Sequence, residues 1–111
     1  LLEGPERPDR RAALERGVEW LCSVRLPKRG SDWDVDMAWS ALYGFDACVA
    51  LARDPRFAGD PWKARLRARG LELYAQLAAL QALDGGWGYY DDPPYPSRNA
   101  WSTSFSTACV I

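Results

Sequence analysis

Residues 16–33 read RGVEWLCSVRLPKRGSDW, and residues 69–87 read RGLELYAQLAALQALDGGW. Arg16-Gly17-Val18-Glu19 matches Arg69-Gly70-Leu71-Glu72 at an offset of 53, and Trp33 matches Trp87 at 54. Two more pairs follow: Ala38-Trp39-Ser40 with Ala100-Trp101-Ser102, and Ala47-Cys48-Val49 with Ala108-Cys109-Val110. Each copy reads as helix, Gly/Trp loop, helix, with the longer loop in the second. A period of about 50 residues marks stacked helical hairpins, in which each unit buries its apolar face on the next.

Working outward, helical periodicity predicts four helices. The first is expected over about 9–26, capped by Asp9, with Leu14, Val18 and Leu21 at helical spacing and Pro27 as its stop. The second is expected over 36–53. Met37, Ala41, Phe45, Cys48 and Ala52 form one face, widened by Ala38, Leu42 and Val49, so this helix should lie between others. The third is expected over 61–84, with Asp60 as cap, Pro61 as first residue and Asp84-Gly85-Gly86 as terminator. The fourth starts near residue 102. Nothing alternates with period two for long enough to make a strand. The prediction is an all-α fold, an arc of two stacked helical hairpins. Repeat 1 spans about 9–53 and repeat 2 about 61–111, with the helices pairing antiparallel through short loops.

The 111 residues fit one domain at most, and 48% apolar residues suffice for an ordered core. Fourteen basic against fifteen acidic side chains argue against a nucleic-acid partner, which needs a basic surplus. The chain has no histidine, which excludes Ser-His-Asp and Cys-His nucleophile pairs and His-ligated zinc within it. Cys22, Cys48 and Cys109 show no CxxC spacing and read as small buried hydrophobes in a reducing, cytoplasmic compartment. No signal peptide is visible after Leu1-Leu2, and the longest apolar run, Ala47 to Ala52, is far too short to cross a membrane. The opening Leu1 and the apolar end at Ile111 suggest a piece of a longer protein, because two units cannot close a ring.

Arg16-Gly17-x-x-Trp20-Leu21-x-x-x-Arg25 followed by Gly30-x-x-Trp33 resembles the QW repeat of squalene and oxidosqualene cyclases, with Arg25 in the place of glutamine. The second copy supplies that glutamine as Gln81, ahead of Gly85-Gly86-Trp87. Residues 81–90 and Ser102-Thr103-x-x-x-Thr107-Ala108 are similar to stretches of squalene–hopene cyclases and of the wider prenyltransferase and squalene-oxidase-repeat proteins. The resemblance implies an α/α toroid of the terpenoid-cyclase and protein-prenyltransferase type. Asp34-Val35-Asp36-Met37 resembles the Asp-x-Asp-Asp motif of class II terpene cyclases, with Met37 in the fourth position. By that resemblance Asp36 would protonate a double bond or epoxide, Asp34 would help keep the proton on it, and Tyr90, with Trp39, would face the carbocation. The chemistry needs an undissociated acid in a dry pocket and aromatic faces that attract a cation. The histidine that bonds the family's catalytic aspartate has no counterpart in these 111 residues.

The same residues carry plainer readings. Asp36 also suits a helix N-cap. Asp32, Asp34 and Asp36 alternate like a calcium loop, but Met37 stands where its glycine belongs and Tyr43 at its twelfth position. Asp91-Asp92 reads as a solvated turn before Pro93. Trp33 and Trp87 read as locks between hairpins. Lys63, Arg65, Arg67 and Arg69 read as a solvated helix face, or as a contact with a partner or an anionic lipid surface. Asp46, mid-helix, is expected to pair with a basic group or to face a cavity.

The leading expectation is a piece of a squalene-cyclase-like protein acting on a polyisoprenoid, with the remaining hairpins of the toroid as partners, no cofactor, no metal and peripheral membrane contact. The alternative is a non-catalytic repeat protein used for binding or scaffolding. A prenyltransferase β-type subunit is disfavoured, because its zinc site needs Asp, Cys and His.

Overall fold

The computed structural model describes residues 7–25, 36–88 and 102–111. Four helices follow in order: α1 Pro8–Ser23, α2 Asp36–Arg53, α3 Trp62–Ala79 and α4 Ser104–Val110. A single 3-10 turn, Pro55–Phe57, lies between α2 and α3. Among the described residues there is no strand, only an isolated antiparallel bridge between Gln81 and Trp87.

The helix limits follow local chemistry. α1 starts one residue before its expected cap: Arg7 is the cap residue, Pro8 opens the helix, and Asp9 sits in the first turn, paired with Arg7. Proline suits this position because its missing N–H has no helical partner there. α1 ends at Ser23, short of Pro27, where the Ser23 hydroxyl donates back to the carbonyls of Glu19 and Trp20. α2 has the expected limits. α3 begins after Pro61, which is itself the cap residue, and ends at Ala79 rather than near residue 84. Beyond Leu80 the backbone turns back on itself. Gly85 N–H donates to the Ala82 carbonyl and Ala82 N–H to the Gly86 carbonyl, with Gly85 at φ +92°. The glycines thus make a turn after the helix instead of capping it.

α2 runs antiparallel to α3 along the closest seam of the molecule. Gly44 faces Leu73 and, one turn on, Cys48 faces Gly70 one turn back. A Cβ on Gly44 would sit 3.0 Å from Leu73 Cδ1, so this glycine sets the approach of the two helices. α1 lies beside α3 and parallel to it. Arg65 donates to both Glu19 oxygens at 2.6 Å, and Arg25 reaches Glu72 at 3.0 Å, the same direction of travel in both helices. Leu21 of α1 also reaches towards Gly44 of α2. Val18, Ala41, Cys48, Leu66, Leu73 and Phe57 are at the centre of the shared core. The helices therefore form two layers, with α1 and α3 side by side and α2 beneath them. The tightest seam joins the two expected units rather than lying within either.

The link between α2 and α3 is pinned at both sides. Asp54 accepts from the Arg56 backbone N–H and from its guanidinium, at 2.9 Å and 2.6 Å. Those bonds hold the Asp54 carboxyl down at about 2. Arg11 of α1 donates to the Arg56 carbonyl and lies over the ring of Phe57, which is fully buried and meets Trp62 edge-on.

Candidate functional site

Three sides of α2 are occupied. Ala41, Gly44 and Cys48 meet α3, Leu21 of α1 reaches the side beside Gly44, and Ala38 and Leu42 share a cleft with Trp87, Gly88 and Val110. Among the described residues, the side that carries Trp39, Tyr43, Asp46 and Ala50 at helical spacing meets none of these elements except at Trp39, which also lines the cleft. Trp39 and Tyr43 stack with centroids 5.7 Å apart and planes 23° from parallel. Tyr43 is 65% exposed and Asp46 is exposed as well. This open aromatic face, with a carboxylate at its far end, is the candidate site.

The expected residues distribute as follows. Asp36 is the first residue of α2, one turn before Trp39 and two before Tyr43. Trp39 lies on the open face and also lines the cleft. Asp34, Tyr90, Trp33, Asp32 and Asp91-Asp92 lie outside the described residues. The cleft is apolar, shallow and large enough for about one water. Asp46 has no ion-pair partner among the described residues.

Trp87 lines the cleft and is held by three hydrogen bonds. Its indole N–H donates to the Leu77 carbonyl at 2.8 Å, near the end of α3, where the Leu80 N–H also donates to it. Its backbone N–H donates to Thr107 Oγ1 at 3.0 Å, and its carbonyl accepts from Thr103 N–H at 2.9 Å. Asp84 completes the lock, accepting from Gly86 N–H and from both the backbone and hydroxyl of Ser102. The Ser102 and Gly86 bonds lower the Asp84 carboxyl below its ordinary range. Any Cβ on Gly86 would come within 2.5 Å of Ser102 or Thr107. The lock was not legible in the sequence, because Asp84 meets Ser102 and Trp87 meets Thr107 across 18 and 20 residues of chain.

Three expectations are corrected here. The basic run of α3 is not one solvated face: Arg65 pairs with Glu19, and Arg69 is 3% exposed and bonded to Glu72. Residues two apart point about 200° apart on a helix, so the run had to split. Cys48 is buried, and burial pushes its thiol up to about 11, but Cys22 is half-buried and Cys109 is exposed. Asp9 is a first-turn residue, not the cap of α1. Among the described residues no group of three Asp, Glu or Cys side chains is placed to hold a metal ion, and no helix is long and apolar enough to cross a membrane.

No family model, no curated protein and no solved structure matches this chain.

Proposed function

We propose that the chain is one sector of a squalene-cyclase-like α/α toroid and that the open face of α2 is its wall towards a polyisoprenoid. The observation that carries this reading is the Trp39–Tyr43 stack, which begins one turn after Asp36 and runs from the cleft beside Trp87 to the exposed Tyr43 and Asp46. Two layers, with parallel helices in one and an antiparallel helix in the other, suit such a ring. The cleft beside Trp87 is too small for an isoprenoid, so the ligand would lie along the α2 face, with further hairpins closing the cavity.

In this reading Asp36 is the acid. Its O–H bond breaks as the terminal alkene takes the proton, the π pair becomes the new C–H bond, and the adjacent carbon is left cationic. The aromatic faces of Trp39 and Tyr43 stabilise that cation through their quadrupoles. Loss of a proton from the final cation restores the acid. Asp34 raises the proton affinity of Asp36, and Tyr90 adds a third aromatic face.

The second reading is a non-catalytic repeat scaffold, favoured by Met37, where the motif has an acid. Asp36→Asn separates the two. An amide of the same size at the first residue of α2 should leave the melting temperature nearly unchanged, whereas general acid catalysis should fall by roughly 10²-fold or more. Turnover of squalene or a shorter polyprenyl substrate is measured beside the melting curve. Retained turnover in Asp36→Asn removes Asp36 as the acid, and no turnover in the wild type gives the lead to the scaffold.

A further inference from the structure

Trp39 belongs to two environments at once. One part of it lines the narrow cleft, whose other walls include Leu42, Trp87 and Val110. Its ring also stacks on Tyr43, which is 65% exposed. The cleft has room for about one water, so a wall such as Trp39 cannot turn unless another wall gives way. Trp87 is that other wall, and its place depends on a distant segment. Its backbone N–H donates to Thr107 Oγ1, and its carbonyl accepts from Thr103 N–H. Asp84 fastens this segment to the glycine turn. One carboxylate oxygen accepts from Gly86 N–H at 3.2 Å, and the other accepts from the Ser102 N–H at 3.0 Å and its hydroxyl at 2.9 Å. A carboxylate can serve both sides because each of its oxygens accepts, whereas an amide has one accepting oxygen. The contacts form one path: Asp84 holds Gly86 and Ser102, these flank Trp87 and Thr103, Trp87 walls in Trp39, and Trp39 stacks on Tyr43.

We propose that Asp84 is a positioning residue for the aromatic face of α2: by fixing Trp87 as a wall of the cleft, it holds Trp39, and with it the Trp39–Tyr43 stack, in one orientation. The structural part of this inference stands on the hydrogen bonds and the cleft, and its catalytic consequence rests on the isoprenoid reading above. A ring stabilises a cation through its face. A stack free to turn still offers apolar surface to the bound substrate but loses its alignment with the cation, so Asp84 acts on kcat rather than on KM.

The test labels the 111-residue chain with 5-fluorotryptophan and follows the fluorine resonances of Trp39 and Trp62, each assigned by its disappearance in Trp39→Phe or Trp62→Phe. Trp62, edge-on to the buried Phe57 at the start of α3, reports any general loss of structure. Asp84→Ala removes all three bonds and should shift and broaden the Trp39 resonance, with Trp62 unmoved. Asp84→Asn, with one accepting oxygen left, and Ser102→Ala, which removes one bond, should shift it less. Ser102→Ala decides the matter if Asp84→Ala loses its helical circular dichroism. With a polyprenyl substrate, Asp84→Ala should lower kcat on the order of tenfold and leave KM nearly unchanged. A Trp39 resonance that stays in place in these variants, a Trp62 resonance that moves as far as that of Trp39, or a loss carried by KM alone would each overturn the proposal. Absence of turnover in the wild type counts against the isoprenoid reading instead, and the fluorine resonances then decide the role of Asp84 by themselves.

Discussion

Arg16-Gly17-Val18-Glu19 and Arg69-Gly70-Leu71-Glu72 are nearly the same four residues in two helices of the same layer, and the fold treats them in opposite ways. In α1, Val18 is buried while Arg16 and Gly17 face solvent. In α3, Arg69 and Gly70 are buried and Leu71 is 57% exposed. Only the acids behave alike, since Glu19 and Glu72 both hold an ion pair across the α1–α3 boundary. An alignment shorter by one residue restores agreement: Leu14 then matches Leu66, Val18 matches Gly70 and Leu21 matches Leu73, all on core-facing sides. One residue is about 100° of helix rotation, so a one-residue slip exchanges inside for outside. Letter identity and structural equivalence are therefore different things in this repeat.

The comparison can be broken most sharply at the glycines. Gly70→Leu would drive a side chain into the seam where Cys48 already lies 3.6 Å from an added Cβ, and should cost about 3 kcal/mol or more. Gly17 has nothing within 4 Å of that position, so Gly17→Ala should stabilise α1 by about 0.5–1 kcal/mol through helix propensity. Urea denaturation of the two variants measures both. Equal effects would mean that the quartets are equivalent after all.

The arginines should differ next. Arg69→Ala removes a buried side chain and its bond to Glu72, at a cost of about 2–3 kcal/mol, whereas Arg16→Ala should stay within about 0.5 kcal/mol. The apolar pair should invert that order. Val18→Ala deletes buried methyl groups and should cost about 1–2 kcal/mol, while Leu71→Ala should cost almost nothing. Thermal melts of the four variants resolve these differences.

The smallest expected effect concerns the shared acids. Glu72 is lowered chiefly by its bond to Arg69, and Glu19 by its bond to Arg65. A carboxyl lowered in the folded chain takes up its proton first in the unfolded one, so acid favours unfolding. The stabilisation is complete above the ordinary value of 4.5 and is lost as pH falls through the folded values. Asp54 extends the loss down to about 2. A melting temperature that declines progressively on acidification, and less so in Glu19→Gln with Glu72→Gln, is the expected result.

Of the candidate site, the helix was legible and its free side was not. Asp36 as the first residue of α2 followed from the apolar period that starts there, and Trp39 was read as facing a ligand from the family resemblance. Tyr43 and Asp46 joined it only when three sides of α2 were seen to be filled. Phe45, one of the apolar face, is half-buried and meets Tyr74 at 6.0 Å, so even the expected core face fades towards its edge.

By itself the sequence determined what depends on neighbours within a turn: the helical content, the limits of α2, and a break in the helix ahead of Trp87. Such features are settled by backbone geometry and short-range hydrogen bonds, which residue type controls directly. The tertiary structure decided which copy of Arg-Gly is buried, that α2 packs closest on α3, and that Asp84, Ser102 and Thr107 close around Gly86 and Trp87. Those outcomes depend on rotation about helix axes and on contacts between residues far apart in the chain. Burial of the largest apolar area selects among them, and a one-residue shift in an alignment is enough to conceal the choice.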